Sequence, residues 1–241
     1  MRKQIKHAMN TVLMKTLSHR LIHNQLVVDT DFDVWKKLKQ QGFKPHCLVD
    51  VGAAQGLWTG KIIDIYPESR YLMIDPLAEN EQYLRKITEE CSNIHYWLGA
   101  AGRQLGELEM NVHGDQSSMF SSEWRGAIRH VPMRTLDDLV KEFIGFSVDG
   151  LKLDVQGAEL EVLAGASETL RTCRVAQVEV SFRRGYEKAP LAHEIISFFA
   201  ARGFRIFDIV SLLKRDDRAL LQADLFFVSD EELFKPETWK T

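Results

Sequence analysis

Leu48-Val-Asp-Val-Gly-Ala-Ala-Gln-Gly56 reads as a buried strand that stops at a turn of small residues and feeds a helix. A junction of this kind presents bare backbone N–H groups to a ligand, and its glycines, Gly52 and Gly56, permit close approach. The spacing is not the dinucleotide fingerprint, because Ala54 stands two positions after Gly52, where that pattern needs glycine. No Gly-Lys-Ser/Thr follows, as a phosphate-cradling loop requires. The acid two residues before the turn, Asp50, suits a cationic ligand better than a pyrophosphate.

Outward from this turn, strand and helix patterns alternate. Strands are expected at His46–Val51, Arg70–Ile74, Ile94–Leu98, Leu151–Val155, Val175–Val180, Arg205–Asp208 and Asp224–Val228. Helices are expected at Leu57–Tyr66, Ala78–Glu90, Ala158–Arg171 and Leu191–Arg202. Such alternation specifies an α/β fold with a mostly parallel sheet covered on both faces. The alternating Gly106–His113 stretch reads as an extra hairpin strand, and 113–130 as a long polar loop. Residues 1–28 hold five Lys and Arg and no Asp or Glu, with apolar residues at roughly helical spacing. They read as a helix packed on the domain with a solvated basic face; contact with an anionic partner is the other reading. Residues 1–45 are therefore taken as an N-terminal helical extension and 46–241 as one domain.

Charged groups recur at the carboxyl ends of the expected strands, the edge where open α/β sheets bind ligands. Asp75-Pro76 ends the second strand, 19 positions beyond Gly56. A carboxylate there accepts the hydroxyls of a ribose, and it also suits a cap for the helix that follows. Together with the Gly52–Gly56 turn this describes a nucleoside site, and the absent dinucleotide pattern favours an adenosyl sulfonium over NAD. Gly99, Ala100 and Ala101 leave room for a flat adenine ring. In Leu151-Lys-Leu-Asp-Val-Gln-Gly-Ala-Glu159, Lys152 and Asp154 interrupt an apolar strand, a pattern that packing alone does not call for. Asp154 suits orienting or deprotonating an acceptor hydroxyl, or binding a divalent cation. Glu159 suits either the same site or the dipole of its helix. Glu179 ends another apolar strand and is the second candidate for proton transfer, with a cap or a salt bridge to Arg183 or Arg184 as its structural alternative.

Composition excludes several classes. A formal net charge of -3 supplies no global basic field for nucleic acid. Hydrophobic residues make up 45% of the chain, enough for a real core. Cys47, Cys91 and Cys173 form no Cys-x-x-Cys pair, which fits a reducing, cytoplasmic compartment. No apolar run approaches the ~20 residues of a membrane span, and no signal peptide is read at the start. The eight histidines are scattered and no metal site is read from them, although His113 or His130 would suit a base in the loop region. No Gly-x-Ser-x-Gly elbow supports a serine hydrolase.

The set Asp50–Gly56, Asp75-Pro76, Arg134-Thr-Leu-Asp-Asp138, Leu151–Glu159 with Glu161-Val-Leu-Ala-Gly165, and Ala223–Val228 resembles the FkbM family of S-adenosylmethionine-dependent methyltransferases. The resemblance implies a class I methyltransferase fold, Rossmann-like, with a seven-stranded sheet whose final strand, Asp224–Val228, is antiparallel. It also implies O-methylation of a sugar, glycan or secondary metabolite. On this reading Asp50, Gly52, Ala53, Gln55 and Gly56 serve the methionine part of the cofactor. Asp75 and Pro76 serve the ribose, and Gly99, Ala100 and Ser118 lie near the adenine or the cofactor rim. Asp154 is the first choice for acceptor orientation and Glu179 the second. Mg2+ is compatible with their hard oxygens but not required, so no metal ligand is assigned. The expected partner is a small-molecule or glycan substrate, with no nucleic acid and with a homo-oligomer allowed. The competing readings are a catalytically silent module on the same fold, an NAD-dependent oxidoreductase, which Ala54 disfavours, and methylation of a nitrogen acceptor.

Overall fold

The computed structural model describes residues 30–112, 127–145, 147–184, 188–230 and 233. The basic segment 1–28, Ser118 and His113 lie outside the described residues. In chain order the elements begin with α1 (Asp31–Gln40), β1 (Cys47–Val51), α2 (Leu57–Ile65), β2 (Arg70–Asp75), a 3-10 turn (Ala78–Asn80), α3 (Glu81–Glu90), β3 (Ile94–Leu98), β4 (Ala100–Gly102), β5 (Gly106–Val112) and β6 (Ala127–Thr135). There follow α4 (Leu136–Phe143), β7 (Gly150–Leu153), α5 (Glu159–Ala164), α6 (Ser167–Thr172), β8 (Val175–Ser181), α7 (Ala192–Ala200), β9 (Arg205–Lys214) and β10 (Leu220–Val228).

Seven strands form one sheet in the order β3-β2-β1-β7-β8-β10-β9. Neighbours from β3 to β8 pair in parallel, whereas β10 runs antiparallel to both β8 and β9. This is the sheet order of a class I methyltransferase, with the antiparallel strand where the sequence places it. The strand order reverses beside β1, so the β1–α2 turn opens at a topological switch point. β1 is buried along its whole length, as expected of a strand covered on both faces.

One face of the sheet packs against α1, α2 and α3 through Trp35, Ile62 and Leu84. The other packs against α4, α5 and α7 through Leu139, Val162 and Phe199. Thr30 and Asp33 form a capping box for α1, which lays Val34, Trp35 and Leu38 into the core. The buried Gln177 on β8 takes hydrogen bonds from two indoles at its Oε1, Trp35 Nε1 at 2.8 Å and Trp58 Nε1 at 3.0 Å. That arrangement satisfies polar groups from α1, α2 and the sheet at once.

Three differences from the sequence reading have local causes. The expected helix Ala158–Arg171 is two helices, α5 and α6, broken at Gly165, where a Cβ would lie 2.1 Å from the Gly102 carbonyl oxygen. Strand β4 therefore passes too close at the break for any residue but glycine. The Leu-Asp-Asp motif builds α4, which the periodicity did not reveal. Thr135 caps that helix by accepting the Asp138 N–H at 3.1 Å, and Asp137 accepts the Thr169 N–H at 2.8 Å at the start of α6. The expected loop 113–130 already contains the first residues of β6, which pairs antiparallel with β5 and parallel with β4 in a second, three-stranded sheet. No helix among the described residues is long and apolar enough to cross a membrane.

Candidate functional site

Two connections at the carboxyl edge of the sheet make the site, the β1–α2 turn and the β7–α5 turn. In the first, the N–H groups of Gly52 and Ala53 donate to the Ile74 carbonyl at 2.9 and 3.1 Å, which folds the turn over the end of β2. Gly52 has φ +79, and a Cβ on it would stand 1.9 Å from the Asp154 backbone oxygen. The two turns are therefore in direct backbone contact. Ala54 holds φ +48 and donates its N–H to Asp75 Oδ2 at 2.8 Å.

A cavity of about 330 Å³ opens beside this junction. Gly52, Ala54, Asp75 and Pro76 line one side of it, and Ala100 lines another. Leu108, Met110 and Met133 of the second sheet add an apolar wall. At its margin Glu161 takes a two-pronged hydrogen bond from Arg103, one arm at 2.7 Å. Asp75 is 4% exposed and accepts from Ala54 N, from Leu77 N at 3.0 Å and from Asn80 Nδ2 at 2.8 Å. Burial pushes its carboxyl above the usual range, and these hydrogen bonds oppose the shift. The Leu77 contact is the cap-like role read from the sequence, and the same carboxylate also faces the cavity.

A second cavity of about 390 Å³ shares Gly52, Ala54 and Asp154 with the first. It adds Ala53, Gln55, Lys61, Glu179 and Asp224, with Asp31 and Phe32 from α1. Lys61 holds its ammonium 4.9 Å from the centre of the Phe32 ring. Asp154 thus stands where the two spaces meet. Gln156 Nε2 bridges Asp154 Oδ1 at 3.0 Å and Glu179 Oε2 at 3.2 Å, and Gln222 Nε2 adds a contact to Glu179 Oε2 at 3.0 Å. Burial, then the charges of Asp154, Asp224 and Glu159, push Glu179 from 4.5 to about 8, with Lys152 opposing.

That shift has a measurable sign. A carboxyl with a raised folded-state pKa binds its proton more tightly folded than unfolded, so its contribution to stability is complete below pH 4.5 and is lost as pH rises toward about 8. Glu179→Gln removes the titration and should gain stability relative to the parent across that window. Urea unfolding at about pH 5 and about pH 8 reads the difference; parallel pH curves for the two proteins would contradict it.

Several residues singled out from the sequence lie elsewhere. Asp50 is 1% exposed and does not line either cavity; it accepts the Thr59 hydroxyl at 2.8 Å and pairs with Lys152 at 3.2 Å. The reason is strand alternation, which turns it into the body of the protein. Gly56 also misses both cavities, because its missing Cβ leaves space for Ile87, whose Cδ1 would be 2.4 Å away. Gly99 is likewise outside them and packs its Cα side against Trp97 and the Pro132 carbonyl. Glu159 is buried at the first position of α5, accepts the Gly157 N–H at 3.0 Å, and is pushed up to about 7 by burial. Its place is that of a cap. His130 pairs with Glu107 at 3.6 Å, away from both cavities. Among the described residues no group of three His, Cys, Asp or Glu side chains is placed to hold a metal ion.

The sequence reading missed Asn80, Lys61, Asp31 and the Met110–Met133 wall. Asn80 enters by a local hydrogen bond to Asp75, five residues before it, and the others by the packing of their elements around the two cavities. Gln156 carried one available sign, its place two residues after an acid at a strand end.

The methyltransferase FkbM domain model matches residues 50–206. A curated relative, the 2-O-methyltransferase NoeI of Sinorhizobium fredii, is 24% identical over 160 residues, 58% of this chain and 65% of that protein. The chain thus spans under two thirds of that relative's length. Among solved structures, an rRNA methylase from Streptococcus thermophilus overlaps 84% of this chain and 98% of its own, with TM-score 0.49 and 6% identity. Aeropyrum pernix fibrillarin with bound S-adenosyl-L-methionine overlaps 80% of this chain and 76% of its own, with TM-score 0.46 and 17% identity. The strand order, rather than these distant likenesses, fixes the fold class. By the extent of the family match over both turns of the site, the chain belongs to the FkbM methyltransferase family.

Proposed function

We propose that this protein methylates a hydroxyl oxygen of a sugar, glycan or secondary metabolite, using S-adenosylmethionine. The observation that carries the reading is the pair of cavities meeting at Gly52, Ala54 and Asp154, one apolar-walled with a buried carboxylate, the other rich in polar side chains. A donor and an acceptor need such adjoining spaces, because in-line transfer depends on alignment. The 2-O-methyltransferase relative supports an oxygen acceptor. When bound, the cofactor supplies an electrophilic methyl carbon on its sulfonium.

The residues fit that cofactor. Asp75 uses three of its roughly four acceptor positions on protein donors, which leaves capacity for one ribose hydroxyl. Pro76 and Ala100 bound the same space, with the Met110–Met133 wall suited to the flat adenine. Gly52 borders both cavities, and Ala53 and Gln55 line the second beside the junction, where the methionine portion meets the acceptor space. In the second cavity Asp154 orients the acceptor hydroxyl. Glu179, whose carboxyl is pushed up to about 8 by burial, takes the proton as the oxygen bonds to carbon; a base tuned near the working pH serves best.

Isothermal titration with S-adenosylhomocysteine tests the cofactor assignment. The parent protein should bind, and Asp75→Ala should bind at least about tenfold more weakly, a loss of about 1.4 kcal/mol. Equal affinity in the two proteins would overturn it.

A further inference from the structure

The two turns of the site are touched by one buried ammonium. Lys152 sits on β7 with its side chain 10% exposed. Its Nζ lies 3.1 Å from the Gly52 carbonyl oxygen, 3.2 Å from Asp50 Oδ1 and 3.5 Å from Asp154 Oδ2. Two segments about a hundred residues apart, Asp50–Gly52 and the end of β7 at Asp154, therefore supply three oxygens to one cation. A buried charge is tolerated when it is paired and hydrogen-bonded, and here the partners are the donor-side turn and the acceptor-side carboxylate. The missing Cβ of Gly52 is what lets the Asp154 backbone come close enough for one lysine to reach both.

We propose that Lys152 is a positioning residue for methyl transfer, pinning the Gly52 turn and the Asp154 carboxylate into one unit so that the two cavities keep a fixed relative geometry. The proposal rests on the reading of Asp154 as the group that orients the acceptor. Burial works against the ammonium, but Asp50 and Asp154 outweigh it and hold the lysine above its usual range. The other charges near the cluster are Glu179, Asp224 and Glu159, from β8, β10 and α5. A lysine present merely to neutralise the buried Asp50 would have no further consequence once Asp50 was itself made neutral.

That contrast sets the experiment. Lys152→Met alone strands the Asp50 carboxylate and is expected to fold poorly. The charge-balanced pair Asp50→Asn with Lys152→Met removes that penalty while still cutting the link to Gly52 and Asp154. In the paired variant, amide hydrogen exchange at Ala53 and Ala54 should quicken by about tenfold, and S-adenosylhomocysteine should bind about tenfold more weakly. Exchange and affinity equal to those of Asp50→Asn alone would overturn the proposal. A nitrogen NMR measurement on the parent protein gives a test that needs no variant. The Lys152 ammonium should appear as a protected, slowly exchanging signal, and rapid exchange like that of a solvated lysine would equally overturn the pin. Failure of the parent to bind S-adenosylhomocysteine would instead remove the cofactor reading, leaving the exchange data to decide the pin by themselves.

Discussion

Asp154→Asn should lower methyl transfer by about two orders of magnitude, the scale of losing the alignment of a reacting group. The substitution conserves shape but offers one acceptor oxygen where Asp154 uses two, Oδ1 toward Gln156 and Oδ2 toward Lys152, so one of those contacts is lost. What also disappears is the charge at the junction of the two cavities. The side chain is 36% exposed, so the change should cost little stability. The measurement is mass spectrometry of metabolites and glycans from a strain whose own gene carries the substitution, set beside a deletion strain. The methylated product should fall close to the deletion level while the protein accumulates normally. Product at the parental level would remove Asp154 from the mechanism.

Gly52→Ala should destabilise the protein by more than about 3 kcal/mol and abolish binding of S-adenosylhomocysteine. Two effects combine. The residue holds φ +79, which costs an L-residue about 1 kcal/mol or more. The added Cβ would also stand 1.9 Å from the Asp154 oxygen and 2.8 Å from its carbonyl carbon. Both are backbone atoms, so the clash is relieved only by parting the two turns. Gly42→Ala separates the effects, because Gly42 has φ +95 but open space where its Cβ would go. Urea unfolding should show only the strain of about 1 kcal/mol for Gly42→Ala and the full loss for Gly52→Ala. Similar losses in the two variants would mean that the turns do not depend on their close contact.

Much of this was legible in the residues because the relevant physics is local. Ile94–Leu98 forms the strand the sequence predicts, and the other six central strands appear with boundaries moved by a few residues. β9 and β10 run several residues longer than expected, since cross-strand pairing extends them through Lys214 and Leu220, where the side-chain pattern fades. The helix α4 and the split between α5 and α6 were not legible. Asp137, from the Leu-Asp-Asp stretch that carries part of the family resemblance, spends its carboxylate on the N–H groups of Glu168 and Thr169 across a helix boundary. Asp75 and Asp154 were legible as site candidates because a carboxylate at the end of an apolar strand stands out against its neighbours.

By itself the sequence determined the class of the fold, the turn around which it is organised, and the edge of the sheet that carries the acids. Periodicity, small residues and strand-end charges act over a few positions and need no partner to be read. Only the tertiary structure decided which acids face a cavity and which face the interior. Asp50 and Asp154 look alike in the sequence, yet one is buried against Lys152 and Thr59 and the other stands where two cavities join. That division depends on strands and turns about a hundred residues apart meeting at Gly52, Lys152 and Asp154, a contact that no local pattern encodes.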